Sequence, residues 1–300
     1  MSESPLVSII VVTYNSSQYV IETLESAKAQ TYQNIELVIT DDCSIDNTVE
    51  ICKIWLENNK SRFVNTQLVT TLKNSGISAN CNRGMRSANG EWIKMIAGDD
   101  IFLDNCIEDN IQFVKNNPEA KIIYSKPIRF GGDETSMKIS ESNYAKNEWI
   151  FYESSAVQLQ NEMDRIPFWY TVTQFLKKEI WIKFEYDERY PNIEDIPFIL
   201  KCLKAGYKLD YFPIYTVKYR FGHSGSVQNT GSNKKAYFDL YRHEYFYYDI
   251  KNKGVFFAWN NFINFFIRTK KNRNFKLLLL LSPYYIFHFF LRRLQFKKKI

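Results

Sequence analysis

Thr13-Tyr14-Asn15, Asp41-Asp42 and Asp99-Asp100 each stand at or just past the end of an apolar run. Asp is poor in strands and is not buried unpaired, so carboxylates at such ends need water, hydrogen-bond donors or a cation. Any one of these clusters, taken alone, reads equally well as a helix cap or a solvated loop. Together they gather at the edge where ligands of open α/β sheets bind, outside the carboxyl ends of the strands. No GxGxxG follows the first run and no GxxxxGK[ST] occurs anywhere, so neither a dinucleotide fold nor a phosphate loop is supported. A diphosphate site without a glycine loop can instead use Mn²⁺ or Mg²⁺, held by one or two carboxylates and completed by phosphate oxygens and water. Adjacent side chains of an extended segment point opposite ways. One carboxylate of Asp99-Asp100 can therefore face such a cation while the other meets a sugar hydroxyl.

The elements that position these residues alternate. A continuous apolar, β-branched run over 7–12 predicts a strand covered on both faces, with Asn15, Ser16 and Ser17 as N-caps of a helix through 29. Further strands are predicted over 35–40, 63–70, 92–97 and 122–124. Between them lie helices to about 58, from Asn74-Ser75-Gly76 to Asn89-Gly90, and along Leu103, Ile107, Ile111 and Val114, closed by Pro118. This rhythm argues for an α/β fold with a parallel sheet. Residues 129–165 show no usable periodicity, and helical patterns return over 178–184 and 193–205.

Several segments resemble a known family. SIIVVTYNSSQYVIETLESAKAQTYQNIELVITDDCSIDNT, followed by GEWIKMIAGDD, is similar to the nucleotide-binding half of inverting family 2 glycosyltransferases. DERYPNIEDIPFILKCLKAGYKLDYFP and YRFGHSGSV resemble that family's acceptor half, and the matches run over about 5–227. The resemblance implies a GT-A fold: a Rossmann-like, mostly parallel sheet flanked by helices, with a C-terminal helical tail. It implies a catalytic domain over 1–227, with a nucleotide-sugar half to about 125 and an acceptor half to 227, and a separate region over 228–300. It also implies roles. Thr13, with Tyr14 and Asn15 beside it, and Asp42 match nucleotide-binding positions, Asp42 accepting the imide proton of uracil. Asp99 matches a ribose contact and Asp100 the ligand of the metal on the diphosphate. Asp195 matches the catalytic base, with Glu194 as its alternate. Ala97 stands where the fuller Asp-x-Asp-Asp pattern has its first Asp, which implies weaker metal binding. The family's Tyr-Arg-x-His appears as Tyr219-Arg220-Phe221-Gly222-His223, one residue longer, so His223 is a metal or phosphate contact only if the loop absorbs the shift. The Gln-x-x-Arg-Trp signature of processive members is absent, which favours transfer of a single sugar.

Inverting transfer is one displacement at an anomeric carbon through an oxocarbenium-like state. Charge developing on the leaving diphosphate suits a divalent cation, and the attacking hydroxyl must lose a proton to a carboxylate. Asp195 opens a helix whose Ile196, Ile199, Leu200 and Leu203 would anchor it. An acidic first turn favoured by the helix dipole accounts for Glu194-Asp195 equally well on its own. A sugar nucleotidyltransferase lacks support because its Gly-rich N-terminal loop is missing. A catalytically silent binding module that scaffolds a glycan-assembly complex is the other reading.

The 300 residues are 45% hydrophobic and 24% charged, enough for a sizeable core. Five cysteines with no CxxC exclude a disulfide framework and a cysteine zinc site and fit a reducing compartment. The first residues lack the basic segment of a secretory signal. Net charge is +6, yet from Ile250 onward there are twelve Lys or Arg and no acid, so the first 249 residues carry 27 − 33 = −6. An evenly basic nucleic-acid binder does not look like this. The apolar stretch 277–291, broken by Ser282, Pro283 and His288, is shorter than the ~20 residues of a spanning helix. Basic residues flank it on both sides, the composition of a segment lying on an anionic membrane. The expectation is a cytoplasmic protein, peripheral at the inner membrane face. It would use a nucleotide sugar, UDP-linked, and a glycan or lipid-linked acceptor in bacterial surface polysaccharide synthesis.

Overall fold

The computed structural model describes residues 4–221 and 231–269. The chain divides into two compact units, Met1–Ser226 and Val227–Ile300. The first runs β1 (Val7–Thr13), α1 (Val20–Lys28), β2 (Ile35–Asp41), α2 (Thr48–Asn59), β3 (Thr66–Thr70), α3 (Ile77–Ser87), β4 (Trp92–Ala97), β5 (Ile101–Phe102) and α4 (Cys106–Asn116). It continues with β6 (Ile122–Phe130), α5 (Glu134–Ala145), α6 (Ser155–Met163), β7 (Phe175–Lys177), α7 (Lys178–Phe184), α8 (Asp195–Lys204) and β8 (Asp210–Arg220). One eight-stranded sheet has the order β3-β2-β1-β4-β7-β6-β8-β5. Its first four strands in that order are parallel, β7 runs antiparallel to both neighbours, and β6 and β8 are again parallel.

The continuous apolar runs are explained by two covered faces. Every residue of β1 and β2 is buried. Val7, Ile9 and Val11 pack with Leu24, Trp55, Ile107 and Ile111 of α1, α2 and α4 on one side. Ile10 and Val12 pack with Cys81 and Met85 of α3 and Phe198 and Ile199 of α8 on the other. Period-two alternation thus feeds two cores, each fully buried Ile or Val contributing roughly 1.5–3 kcal/mol. Gly84 lets α3 lie close on the sheet: a Cβ there would sit 2.6 Å from the Ile10 Cγ2 and 2.9 Å from the Thr40 Cγ2.

Three local expectations are corrected. The third strand begins at Thr66, not at 63, because Lys60–Arg62 form a 3₁₀ turn that buries Phe63 beside Trp55. Asn15, Ser16 and Ser17 do not cap α1, whose N-cap is Tyr19 with no side-chain bond. Their backbone N–H groups instead donate to Ser44 and Asp46 in the loop after β2 and to Thr48 at the start of α2. The fifth predicted strand does not stop at 124. It runs to Phe130 through Ser125 and Pro127, with register shifts around Lys126.

The second unit holds α9 (Gly231–Leu240), a π-helical turn (Tyr241–Tyr245), α10 (Phe246–Lys253) and α11 (Val255–Thr269). The buried Tyr241 hydroxyl donates to Asp249 at 2.8 Å and to the Ala258 carbonyl at 3.1 Å. No described helix is long and apolar enough to cross a membrane. The apolar stretch 277–291 and its flanking basic residues beyond 269 lie outside the described residues, as does His223.

Candidate active site

At the end of β2 two adjacent carboxylates diverge. Asp41 accepts from the Thr13 hydroxyl at 2.8 Å and from the Ser44 N–H and hydroxyl at 2.8 and 2.5 Å. Thr13 is buried, so its hydroxyl is committed to Asp41 and its carbonyl accepts from the Asp42 N–H. Asp42 turns the other way, toward the start of α3. It accepts from the Ser75 N–H and hydroxyl, from the Gly76 N–H at 2.7 Å and from the Arg83 guanidinium at 2.6 Å. Gly76 is required: its φ of +91° is left-handed, and a Cβ would meet the Pro191 carbonyl oxygen at 2.4 Å. Asn80 locks α3 to both strands, donating to the Thr13 carbonyl and accepting from the Thr40 hydroxyl. Tyr14 is half exposed above this cradle. Asn15 and Cys43 both take left-handed φ, 51° and 64°, where the two strand-end turns interlock through the bond from the Ile45 N–H to the Asn15 side chain.

At the end of β4, Gly98 allows the chain to pass β1, since a Cβ would lie 2.8 Å from the Thr13 Cγ2. Asp100 is buried, and its Oδ1 accepts from the Arg220 N–H at 2.8 Å. Burial, and then the charge of Asp99, push its carboxyl well above the ordinary range. Arg220, the last residue of β8, donates to the Asp99 carbonyl at 2.9 Å and to Glu22 at 2.6 Å, with its guanidinium over the rings of Tyr19 and Phe130. A divalent cation suits this place. It would hold a buried, neighbour-repelled carboxylate ionised, and Mg²⁺ or Mn²⁺ takes only one or two carboxylates from a protein when phosphate supplies the rest. Among the described residues no group of three or more acidic, His or Cys side chains forms a ready-made metal cage.

The third pair, Glu194-Asp195, starts α8. The chain before it docks on α3: the Ser78 hydroxyl donates to the Tyr190 carbonyl at 2.6 Å. The Asn82 amide donates to the Tyr186 carbonyl and to Glu188. One helix therefore carries the Asp42 cradle at its N-terminus and the approach to Glu194-Asp195 along its side. Asp195 accepts from the Thr171 hydroxyl and the Ile196 N–H, both at 2.7 Å. Burial raises both carboxyls above the usual range, and Glu194 is raised further by the charge of Asp195. Of the predicted anchors, Ile199, Leu200 and Leu203 are buried and Ile196 is partly so.

Sequence reasoning missed Ser75, Arg83 and Asn80. The signal was there in weak form: Ser75 follows a helix-opening Asn, and Asn80 and Arg83 share one face of α3 at i, i+3. Thr171 carried no signal, because its partner lies 24 residues away.

These features meet in comparisons with known proteins. The model of "Glycosyl transferase family 2" matches residues 8–180. An uncharacterized glycosyltransferase of Methanocaldococcus jannaschii is 24% identical over 237 residues, covering 78% of this chain and 77% of that one. One from Haemophilus influenzae is 28% identical, covering 67% and 72%. Glycosyltransferase GlyG of Streptococcus pneumoniae is 36% identical over 40% of this chain, and the match spans 38% of GlyG. Among solved structures, Staphylococcus aureus TarS 1–349 in complex with UDP superposes with a TM-score of 0.57 at 16% identity, covering 92% of this chain and 86% of that one. The mannosyltransferase PcManGT of Pyrobaculum calidifontis, in complex with GDP-Man and Mn²⁺, gives 0.60 at 15% identity, covering 95% and 83%. At these identities the structural likeness fixes the GT-A fold, while the family model spans more than half of the chain: this protein belongs to glycosyl transferase family 2.

Proposed function

We propose that this glycosyltransferase moves one sugar from a UDP-linked donor to a glycan or lipid-linked acceptor, with inversion and with help from Mn²⁺ or Mg²⁺, in surface polysaccharide synthesis. The observation that carries the reading is the linkage of three carboxylate sites: Asp42 and Asp100 just past the ends of β2 and β4, the two strands that flank β1, and Asp195 tied to the Asp42 cradle through α3. The UDP, UDP-GlcNAc and GDP-Man complexes of the structural neighbours support a nucleotide-sugar donor.

In this mechanism Asp42 receives the imide N–H of uracil. Four donors already converge on its carboxylate, so the imide replaces one of them, and the Ser75 hydroxyl is the one that can rotate away. Tyr14 and Asn15 border the base, Thr13 acts by fixing Asp41 and the Asp42 backbone, and Asp99 meets the ribose. A divalent cation held by Asp100, and by His223 if the loop reaches, would supply positive charge to the diphosphate oxygens. Asp195 takes the proton of the attacking sugar hydroxyl, help typically worth ~10²–10⁴-fold. UDP release by the purified chain from a panel of UDP-sugars tests this directly. UDP binding without turnover on any donor or acceptor would favour the scaffold reading instead.

The cationic stretch beyond Ile250 and the exposed Phe256, Phe257 and Trp259 of α11 support attachment to the anionic inner face of the membrane. Flotation of the full chain with anionic vesicles should be only partly reversed by salt, because apolar burial is not screened. Absence of flotation would remove this part of the reading.

A further inference from the structure

Glu194 and Asp195 are neighbours on the chain, both sit where burial disfavours charge, and the reaction needs one base. What distinguishes them is a single side chain. The Thr171 hydroxyl donates to the Asp195 Oδ2 at 2.7 Å, while among the described residues Glu194 receives nothing beyond its own N–H. Thr171 begins a 3₁₀ turn, Thr171–Thr173, that is pinned on all sides. Lys94, in the middle of β4, is fully buried and, among the described residues, has no carboxylate in ion-pair contact. Its ammonium donates to the Val172 and Gln174 carbonyls at 3.0 and 3.1 Å, and burial holds its pKa down to about 8. The Thr173 hydroxyl accepts from the Ser125 N–H of β6 and donates to the Tyr170 carbonyl. The Gln174 amide donates to the Tyr124 hydroxyl at 2.7 Å, and Arg129 donates to the Tyr170 hydroxyl. A lysine inside a sheet is costly unless fully hydrogen-bonded, and here its bonds go to one carbonyl within this turn and one just after it.

We propose that Thr171 is a positioning residue of the transfer reaction: held by the turn that Lys94 clamps, its hydroxyl selects Asp195 over Glu194 as the carboxylate that accepts the proton. This rests on Asp195 being the base. The pair shares one negative charge in the working state. Thr171 and the Ile196 N–H place it on Asp195 and orient the carboxylate, and Glu194 stays protonated beside it. The other titratable groups around the pair are Cys81 of α3, Tyr124 of β6 and Tyr186 of the loop before α8. All three are pushed well up by burial, so none of them titrates on the acid side of the profile, and Lys94, held down to about 8, titrates on its basic side.

The test is the pH dependence of UDP release from whichever UDP-sugar of the panel turns over fastest. A hydroxyl that stabilises the ionised base lowers its pKa. Thr171→Val should therefore move the acid limb of the profile to higher pH, by about one unit for a bond to a charged group. UDP affinity should stay unchanged, and Thr171→Ser should restore the original limb. A merely structural bond would lower the melting temperature without moving the limb, and an unmoved limb in Thr171→Val overturns the proposal. Should Thr171→Val not fold, Thr171→Ala carries the same two outcomes. Failure of the underlying reading looks different: Asp195→Asn would then keep its turnover whatever the Thr171 variants do.

Discussion

Two pairs of adjacent carboxylates in this molecule are treated in opposite ways. At the end of β2, seven donor contacts converge on Asp41 and Asp42: hydroxyls of Thr13, Ser44 and Ser75, N–H groups of Ser44, Ser75 and Gly76, and the Arg83 guanidinium. At the start of α8, Glu194 and Asp195 receive, among the described residues, two donors from other residues, Thr171 and the Ile196 N–H, and both go to Asp195. Carboxylates saturated with donors are fitted to hold and orient. In the pair with few donors burial raises both carboxyls, which suits it to proton transfer. Asp100 lies between these cases: it is buried and, among the described residues, its carboxylate accepts from the Arg220 N–H.

The sharpest way to break this contrast is Asp195→Asn. Turnover should fall by at least ~10²-fold with UDP affinity nearly intact, because a base acts in the transition state and not in ground-state donor binding. Calorimetry beside steady-state UDP release separates the two quantities, and equal losses in both would mean that Asp195 belongs to the donor site. A smaller effect is expected at the intermediate case. In Asp100→Asn, UDP affinity measured with Mn²⁺ should drop to the level found in EDTA, a loss of about tenfold on the scale of metal-site variants. Equal wild-type affinity in Mn²⁺ and EDTA would remove the cation from the account.

The same contrast marks what could be read from the sequence. The strands were legible because runs such as Val7–Val12 are apolar on both faces, and the carboxylates at their ends were conspicuous for the same reason. The donors that give each carboxylate its character were not. Arg220 reaches Asp100 across 120 positions, and Lys94 lies in a strand whose lysine suggests solvent, not a buried clamp. Residues 129–165 stayed opaque for a physical reason. α6 turns Gln158, Asn161 and Glu162 inward, and each is hydrogen-bonded: Gln158 to the Phe151 and Leu209 carbonyls, Asn161 to the Val157 carbonyl, and Glu162 to the Trp169 indole. An inward face that is polar and satisfied leaves no apolar period to find. Pro127 in β6 hid the second half of that strand in the same way.

The most direct test of the central claim is the turnover of Glu194→Gln. The glutamine amide mimics a protonated Glu194, which is the form the donor-poor pair imposes beside an ionised Asp195. UDP release should therefore persist near the wild-type rate, with the acid limb of its pH profile essentially in place and UDP affinity unchanged. Collapse of turnover in Glu194→Gln, with Asp195→Asn still active, would contradict the account and make Glu194 the base.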